Sequence, residues 1–457
     1  MKKFLLIGAT ALMVSNSTFA GGILTNTNQN ATFLRNPARN AAIAIDGVYS
    51  NPAGIAFLPE GFHLSVSWQA AFQKRQMDVN NKLFQMNANN QSADRFFEGE
   101  TNAPVIPSFQ AAYVINDKWS VSAQFAVGGG GGKCEFEQGL PMFEELIAGT
   151  LMQGVATNPQ LPAGSSLAKY SFNQNLTGEQ YFYAFQLGGT YKLMENLSVF
   201  GGLRGILAST SYVGAIKNIA GDVKLPEAAG GIVMPGVATS DDLTLDCSQS
   251  GFGITPIIGV DWNLGKLNLA AKYEFRTKIN LENESKNSAN LDAMAAKVPA
   301  VAVYADGAKV RSDIPAIMTL GAQYEITDNF RAMVGGVYYW DKDAKGTPIK
   351  EGKNTWEANF GIEWDVNDKI LLSCGVQRTE YGFDDTDMAD TNFNTSSYAV
   401  AIGGAYKFSE KMTLNVGYMH SFYDNHKFER TTESGLKTAC DYTRKNDVFG
   451  VSLDIRF

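Results

Sequence analysis

Charge, histidine and long apolar runs are what this chain has least of, and each shortage removes a class of function. Charged residues make up 18% of its 457 residues, below the roughly 25% usual for soluble domains. The net charge of −8 disfavours a polyanion, so nucleic acid is not an expected partner. Only His63, His420 and His426 are available as catalytic bases. None has an evident serine and acid beside it, so the lipase-like triad finds no candidate and no catalytic residue is assigned. After residue 20 no uninterrupted apolar stretch reaches the ~18 residues that a spanning helix needs. A chain of this kind enters a membrane only as a closed barrel.

Cysteine is scarce too. Cys134, Cys247, Cys374 and Cys440 have no zinc-module spacing, and neither metal nor cofactor is expected. Cys374 shares the apolar phase of Ile370, Leu372 and Val376 and reads as a free, lipid-facing thiol. The other three fall in expected loops, where an exported chain could form at most one disulfide; the pair is left open. Asp384, Asp385, Asp387 and Asp390 lack the glycine and closing glutamate of a calcium loop and read as a solvated loop.

What the chain does have is glycine, phenylalanine and tyrosine, at 45, 28 and 18 residues, and they fall into alternating segments. At the carboxyl end Phe449, Val451, Leu453, Ile455 and Phe457 alternate with Gly450, Ser452, Asp454 and Arg456, a period of two with one apolar face. A final strand ending on an aromatic residue resembles the signal read by the barrel-assembly machinery. At the other end Lys2 and Lys3 precede the apolar stretch 4–14, and Thr18-Phe19-Ala20 offers a cleavage site. Residues 1–20 are therefore expected to be a signal peptide.

Fourteen alternating segments follow, at about 62–78, 104–116, 118–130, 179–193, 196–213, 251–264, 266–280, 311–326, 328–342, 353–366, 368–381, 393–408, 410–426 and 446–457. An even count with short polar turns on one side and long loops on the other (131–178, 214–250, 281–310) predicts an all-β fold, a 14-stranded antiparallel transmembrane β-barrel over 62–457. Phase assigns the faces. Leu267, Leu269, Ala271, Tyr273 and Phe275 should face lipid and Asn268, Lys272, Glu274 and Arg276 the lumen. Likewise Trp356, Phe360, Ile362 and Trp364 should face out and Glu357, Asn359, Glu363 and Asp365 in. Soluble sandwich domains would not alternate their loop lengths in this way.

Residues 21–61 lack strand alternation but contain Ile43, Ile45, Val48, Ile55, Phe57 and Leu58, too apolar for a disordered tail. They are expected to form an amino-terminal hatch plugging the lumen. Gly128, Gly129, Gly130, Gly131 and Gly132 lack the following Gly-Lys-Ser/Thr and helix of a phosphate loop; glycine in a strand marks a bulge or a close approach, or here a flexible loop base. In loop 131–178, Phe143, Leu146, Ile147 and Leu151 recur at helical spacing, with acids on another face. Such a face covers either an apolar ligand or loop 214–250, and both are expected.

Asn51-Pro52-Ala53-Gly54, led into by Asp46-Gly47-Val48-Tyr49-Ser50, together with Phe252-Gly253-Ile254, Lys272 to Ile279, Ile314-Pro315-Ala316 and Gly417-Tyr418-Met419-His420, resembles the FadL family of outer-membrane transporters for long-chain fatty acids and hydrocarbons, in the versions found in Bacteroidetes-like bacteria. The resemblance implies a monomer in the outer membrane of a Gram-negative cell, among lipid and lipopolysaccharide. It implies passive carriage of a hydrophobic ligand, most simply a long-chain fatty acid, from an extracellular groove to an internal pocket and out sideways through a gap in the wall. In the family the third strand kinks inward at that gap, a role open to the glycine run. Arg204, in the luminal phase, is the candidate partner for a ligand head group, against the alternative that it pairs with a luminal acid such as Asp261 or Glu357. The rival functions are a general diffusion porin and a surface receptor or adhesin.

Overall fold

The alternation is realised as a single sheet closed on itself. In the computed structural model, residue 25 and residues 29–296, 299–347, 349, 351–431 and 437–457 are described; the expected signal peptide lies outside them. The spanning strands are β1 (Gly61–Asn80), β2 (Asp94–Val114), β3 (Trp119–Phe136), β4 (Ser166–Met194), β5 (Leu197–Lys224), β6 (Leu243–Asn263) and β7 (Leu267–Glu274). They continue as β8 (Ile317–Thr327), β9 (Phe330–Tyr339), β10 (Trp356–Asp365), β11 (Ile370–Glu380), β12 (Ser397–Ser409), β13 (Met412–Tyr423) and β14 (Lys437–Arg456). Each pairs antiparallel with the next, and β14 returns to β1 from His63↔Arg456 to Asn80↔Ala439. Closure leaves neither the first nor the last strand as a free edge facing lipid.

The outward face is apolar. Trp68, Phe109, Phe185, Leu203, Trp262, Leu320, Phe360, Leu372, Val400 and Phe449 are all exposed on it, whereas Ser65, Gln110, Arg204, Asp261, Lys272, Glu274, Glu357, Asn359 and Glu363 are buried inside. Cys374 is exposed on the outer face. Soluble proteins invert this arrangement; a barrel in lipid requires it.

Several strands run far beyond the expected segments on the long-loop side. β4 has 29 residues and β5 has 28, against the 9–11 or so needed to cross. Short strands Val233–Thr239, Asn280–Ser285, Lys309–Arg311 and His426–Thr431 extend the sheet further there. Cys134, Cys247 and Cys440, expected in loops, consequently lie in β3, β6 and β14, and all four cysteines are free. β7 ends early instead. Over residues 275–279 the chain leaves the ladder apart from one bridge at Thr277↔Ile314, before Asn280–Ser285 rejoins β6 higher up, and Arg276 turns from the luminal row to donate to the Asp343 carbonyl.

Candidate functional site

Residues 29–58 lie within the barrel and form its floor. Asn30 Nδ2 donates to Gln110 Oε1 (2.7 Å) and Ser65 Oγ (3.1 Å). Glu363 on β10 gathers three cations: Arg35 Nη1 at 2.5 Å, Arg39 Nη1 at 3.0 Å and Arg331 at 2.7 Å. Arg39 also holds Asp46 through a paired contact. Wall glycines make room for this segment. A Cβ on Gly417 would stand 2.7 Å from the Arg35 nitrogen, and one on Gly321 2.7 Å from that of Ala41.

Asn51-Pro52-Ala53-Gly54 is built into the same floor. Asn51 Oδ1 accepts from the Gly54 N–H and its Nδ2 donates to Asp261 Oδ2 at 2.5 Å. Pro52 opens the short 3-10 helix Pro52–Phe57, where its missing N–H costs nothing. Ala53 is fully buried against Phe200 and Ile257. The carbonyls of Pro52 and Ala53 accept from Thr190 and Ser198. A Cβ on Gly54 would crowd Asn51 Nδ2, so glycine leaves room for that carboxamide and its bond to Asp261.

Above the floor is a cavity of about 240 Å³. Gln29 and Leu34 line its base, Phe136 and Leu176 its upper wall, and Arg75, Arg444, Tyr381 and Tyr423 one side. Arg75 and Arg444 face each other in register across β1 and β14. Arg75 donates to the Phe393 carbonyl at 3.4 Å and Arg444 to the Asn394 carboxamide, and among the described residues neither is matched by a carboxylate. Sequence reasoning missed both. They come from opposite ends of the chain and meet only through closure; the available signal was their shared inward phase at the same height on the first and last strands.

The cavity reaches the wall where the wall is least complete. Pairing of β2 with β3 stops at Thr101↔Cys134 and resumes at Ser108↔Ala126. On the β2 side Pro104 and Pro107 have no N–H to give. On the β3 side the run Gly128 to Gly132 is bulged twice, between Val127 and Gly129 and between Gly130 and Gly132. Gly130 has φ of 71°, a left-handed value suited to glycine. Ala103, Ile106, Pro107, Gly128, Gly129 and Gly130 all line the cavity.

The helix Pro141–Thr157 carries Phe143, Leu146, Ile147 and Leu151, but they form no open surface. Ile147 and Leu151 are 1% and 3% exposed, and Phe143 and Leu146 are half-buried against the same extracellular cluster of Phe84, Phe97, Phe136 and Tyr170. The acids are not on a solvent face either. Glu144 accepts from Asn87, Tyr170 and Arg95, and Glu145 from Thr438 and Arg430. Burial pushes both carboxyls up despite these arginines. Loops cover the helix on both sides, which its own periodicity could not reveal.

Arg204 is luminal and buried, but its acid is Glu274 (2.5 Å), not Asp261 or Glu357. It also donates to Gln186 and stacks 4.9 Å from the Tyr49 ring, and it does not line the cavity. His63 contacts the Pro59 carbonyl, His420 pairs with Asp447 and His426 with Asp385. The acidic stretch is not simply solvated: Asp390 is buried, accepting from the Met142 N–H, Arg430 and Tyr442. Asp387 is buried as well and accepts from the Gly352 N–H.

A model of the family described as outer membrane protein transport protein (OMPP1/FadL/TodX) matches residues 176–457. No curated sequence relative matches the chain. Among solved structures, the chain is similar to a Pseudomonas aeruginosa FadL homologue, with a TM-score of 0.66 and 14% identity over 96% of this chain and 100% of that one. It is also similar to the P. putida toluene transporter TodX, with a TM-score of 0.51 and 15% identity over 91% and 94%. The Ralstonia pickettii toluene transporter TbuX gives 0.51 and 12% over 92% and 98%.

Proposed function

Because this chain belongs to the OMPP1/FadL/TodX family of outer-membrane β-barrels that transport hydrophobic compounds, we propose that it carries single-chain amphiphiles with an anionic head, long-chain fatty acids among them, passively into the outer membrane. The observation that carries this reading is the cavity itself, which has on one side two arginines that pair with no carboxylate among the described residues, and on another an incompletely paired stretch of wall. The arginines suit a carboxylate, which an uncharged aromatic hydrocarbon lacks. The wall stretch suits the tail. An alkyl chain gains about 0.8 kcal/mol per CH₂ on passing into lipid, so a sideways exit avoids the aqueous cost of a downward one. Residues 21–61 act as the hatch that keeps the downward route shut, a feature a general diffusion porin would not need. An adhesin would need no such cavity.

A reversible staple tests the exit. A Cβ on Gly132 would lie 3.3 Å from that of Ala103, close to the 3.5–4.5 Å that a disulfide spans, and 2.5 Å from Thr101 Cγ2, which Thr101→Ala removes. Oxidised A103C/G132C in a T101A/C134S background should take up dodecanoate into proteoliposomes several-fold more slowly than wild type, and reductant should restore the rate. Uptake indifferent to oxidation would remove the lateral exit, and wild-type uptake no faster than protein-free vesicles would remove the substrate class.

A further inference from the structure

Arg75 and Arg444 differ from the other arginines held inside this molecule. In the lumen Arg35, Arg39, Arg204 and Arg331, and under the loops Arg95 and Arg430, each lie within 3.0 Å of a carboxylate oxygen. Among the described residues Arg75 and Arg444 have a carbonyl and a carboxamide instead. Their guanidinium groups lie over the rings of Phe393 (5.7 Å) and Tyr423 (4.9 Å), contacts that favour a cation without neutralising it. Arg444 is only 7% exposed, and its Nε has no hydrogen-bond partner.

Two positive charges therefore face one another in register at one cavity. Glu179 also lines this cavity, but among the described residues it pairs with neither arginine. A single carboxylate between the two guanidinium groups brings one negative charge and two oxygens, and would leave half of their charge unbalanced in a setting where unbalanced charge is costly. A phosphate monoester brings −1.5 to −2 charges and three acceptor oxygens at neutral pH, enough for a forked contact from each guanidinium. The hydroxyl-bearing Tyr381 and Tyr423 line the same side, and Phe136 and Leu176 offer an apolar wall for a tail.

We propose that the site formed by Arg75 and Arg444 binds the head group of a single-chain phosphate monoester lipid in preference to a monocarboxylate of the same chain length. This rests on the reading of the cavity as the ligand site.

The test is displacement of a fluorescent fatty-acid probe from the full chain in nonionic detergent, using dodecyl phosphate, its monomethyl ester and dodecanoate. At pH 8 dodecyl phosphate should displace the probe at a concentration at least tenfold lower than either singly charged competitor. Its second proton binds near pH 6, whereas arginine keeps its charge throughout. The advantage over the monomethyl ester should therefore vanish by pH 5 in the wild-type protein. Arg444→Gln or Arg75→Gln should abolish it at pH 8. Equal displacement by all three at pH 8, or an advantage that survives at pH 5, overturns the preference and leaves the fatty-acid reading standing. Failure of every competitor to displace, or of the probe to bind, overturns both.

Discussion

Replacing Gly130 with valine should close the wall. Gly130 holds φ of 71°, and a Cβ there would stand 2.9 Å from the Gln180 carbonyl carbon and closer still to its oxygen. The left-handed backbone alone costs an L-residue about 1–2 kcal/mol, and forcing a side chain into an occupied space adds about 1–3 kcal/mol. Both terms vanish if β3 gives up its bulge and pairs regularly with β2 and β4. The substitution thus favours a straight strand by at least about 2 kcal/mol, roughly 30-fold in population. Uptake of dodecanoate by proteoliposomes should fall by about tenfold or more, with Gly130→Ala intermediate. Probe binding in detergent should persist, because the arginine side of the cavity is on β1 and β14. A variant with the heat-modifiable gel mobility of a folded barrel and wild-type uptake would refute the reasoning. Parallel loss of binding and uptake would mean that the run only shapes the cavity.

Glu363→Gln removes the carboxylate that Arg35, Arg39 and Arg331 share; breaking a buried pair costs about 3–5 kcal/mol, so transient channel openings in planar bilayers should become more frequent, and unchanged conductance would show that the floor is held elsewhere. Gly149→Ala, in the helix Pro141–Thr157 where an added Cβ meets nothing within 4 Å, should stabilise the extracellular cap by about 0.5–1 kcal/mol with no change in uptake, read from denaturation midpoint and transport rate together. Asp341, in the loop after β9, is buried and pushed up to about 6 from 3.8 by that burial. The folded loop then binds a proton more tightly than the unfolded one, so its stability should rise as pH falls from about 6 towards 3.8. Asp341→Asn should abolish that dependence and slow amide exchange at Thr355 at pH 7, by an amount on the order of 2–3 kcal/mol; a pH dependence that survives in the variant would contradict it.

The spanning part of the fold was legible because two solvents impose it. Lipid outside and polar contents inside force alternation on every strand between them, so rows such as Leu267 to Phe275 and Trp356 to Asp365 could be phased from sequence. Above the membrane that constraint ends. The upper reaches of β4, β5, β6 and β14 have water on one side and packed loops on the other, and nothing in their residue pattern separates strand from loop; hence the three cysteines were expected in the wrong setting. The site was less legible than the fold. Glycine at 128–132 marked an irregular strand, but the unpaired stretch also needs Pro104 and Pro107 opposite it, and the arginine pair needs closure of the first strand on the last. The separate face of Glu144 and Glu145 was visible in the helix period, but their partners were not, because Arg95 and Arg430 reach them from β2 and from the strand His426–Thr431.

The length of β4 and β5 bears on where a ligand is first met. At about 3.3 Å per residue, 29 residues give a contour on the order of 95 Å, several times the ~25 Å apolar band of such barrels. Even with the usual tilt, this side of the wall stands above the bilayer like a breakwater. A hydrophobic compound crosses water slowly because it must stay dissolved while doing so. A mouth raised above the membrane shortens that aqueous journey, and the descent that remains runs along protein. The barrel's height then bears on the supply rate of a poorly soluble compound as directly as the chemistry of its interior does, and trimming the hairpin tip should be felt most by the least soluble one.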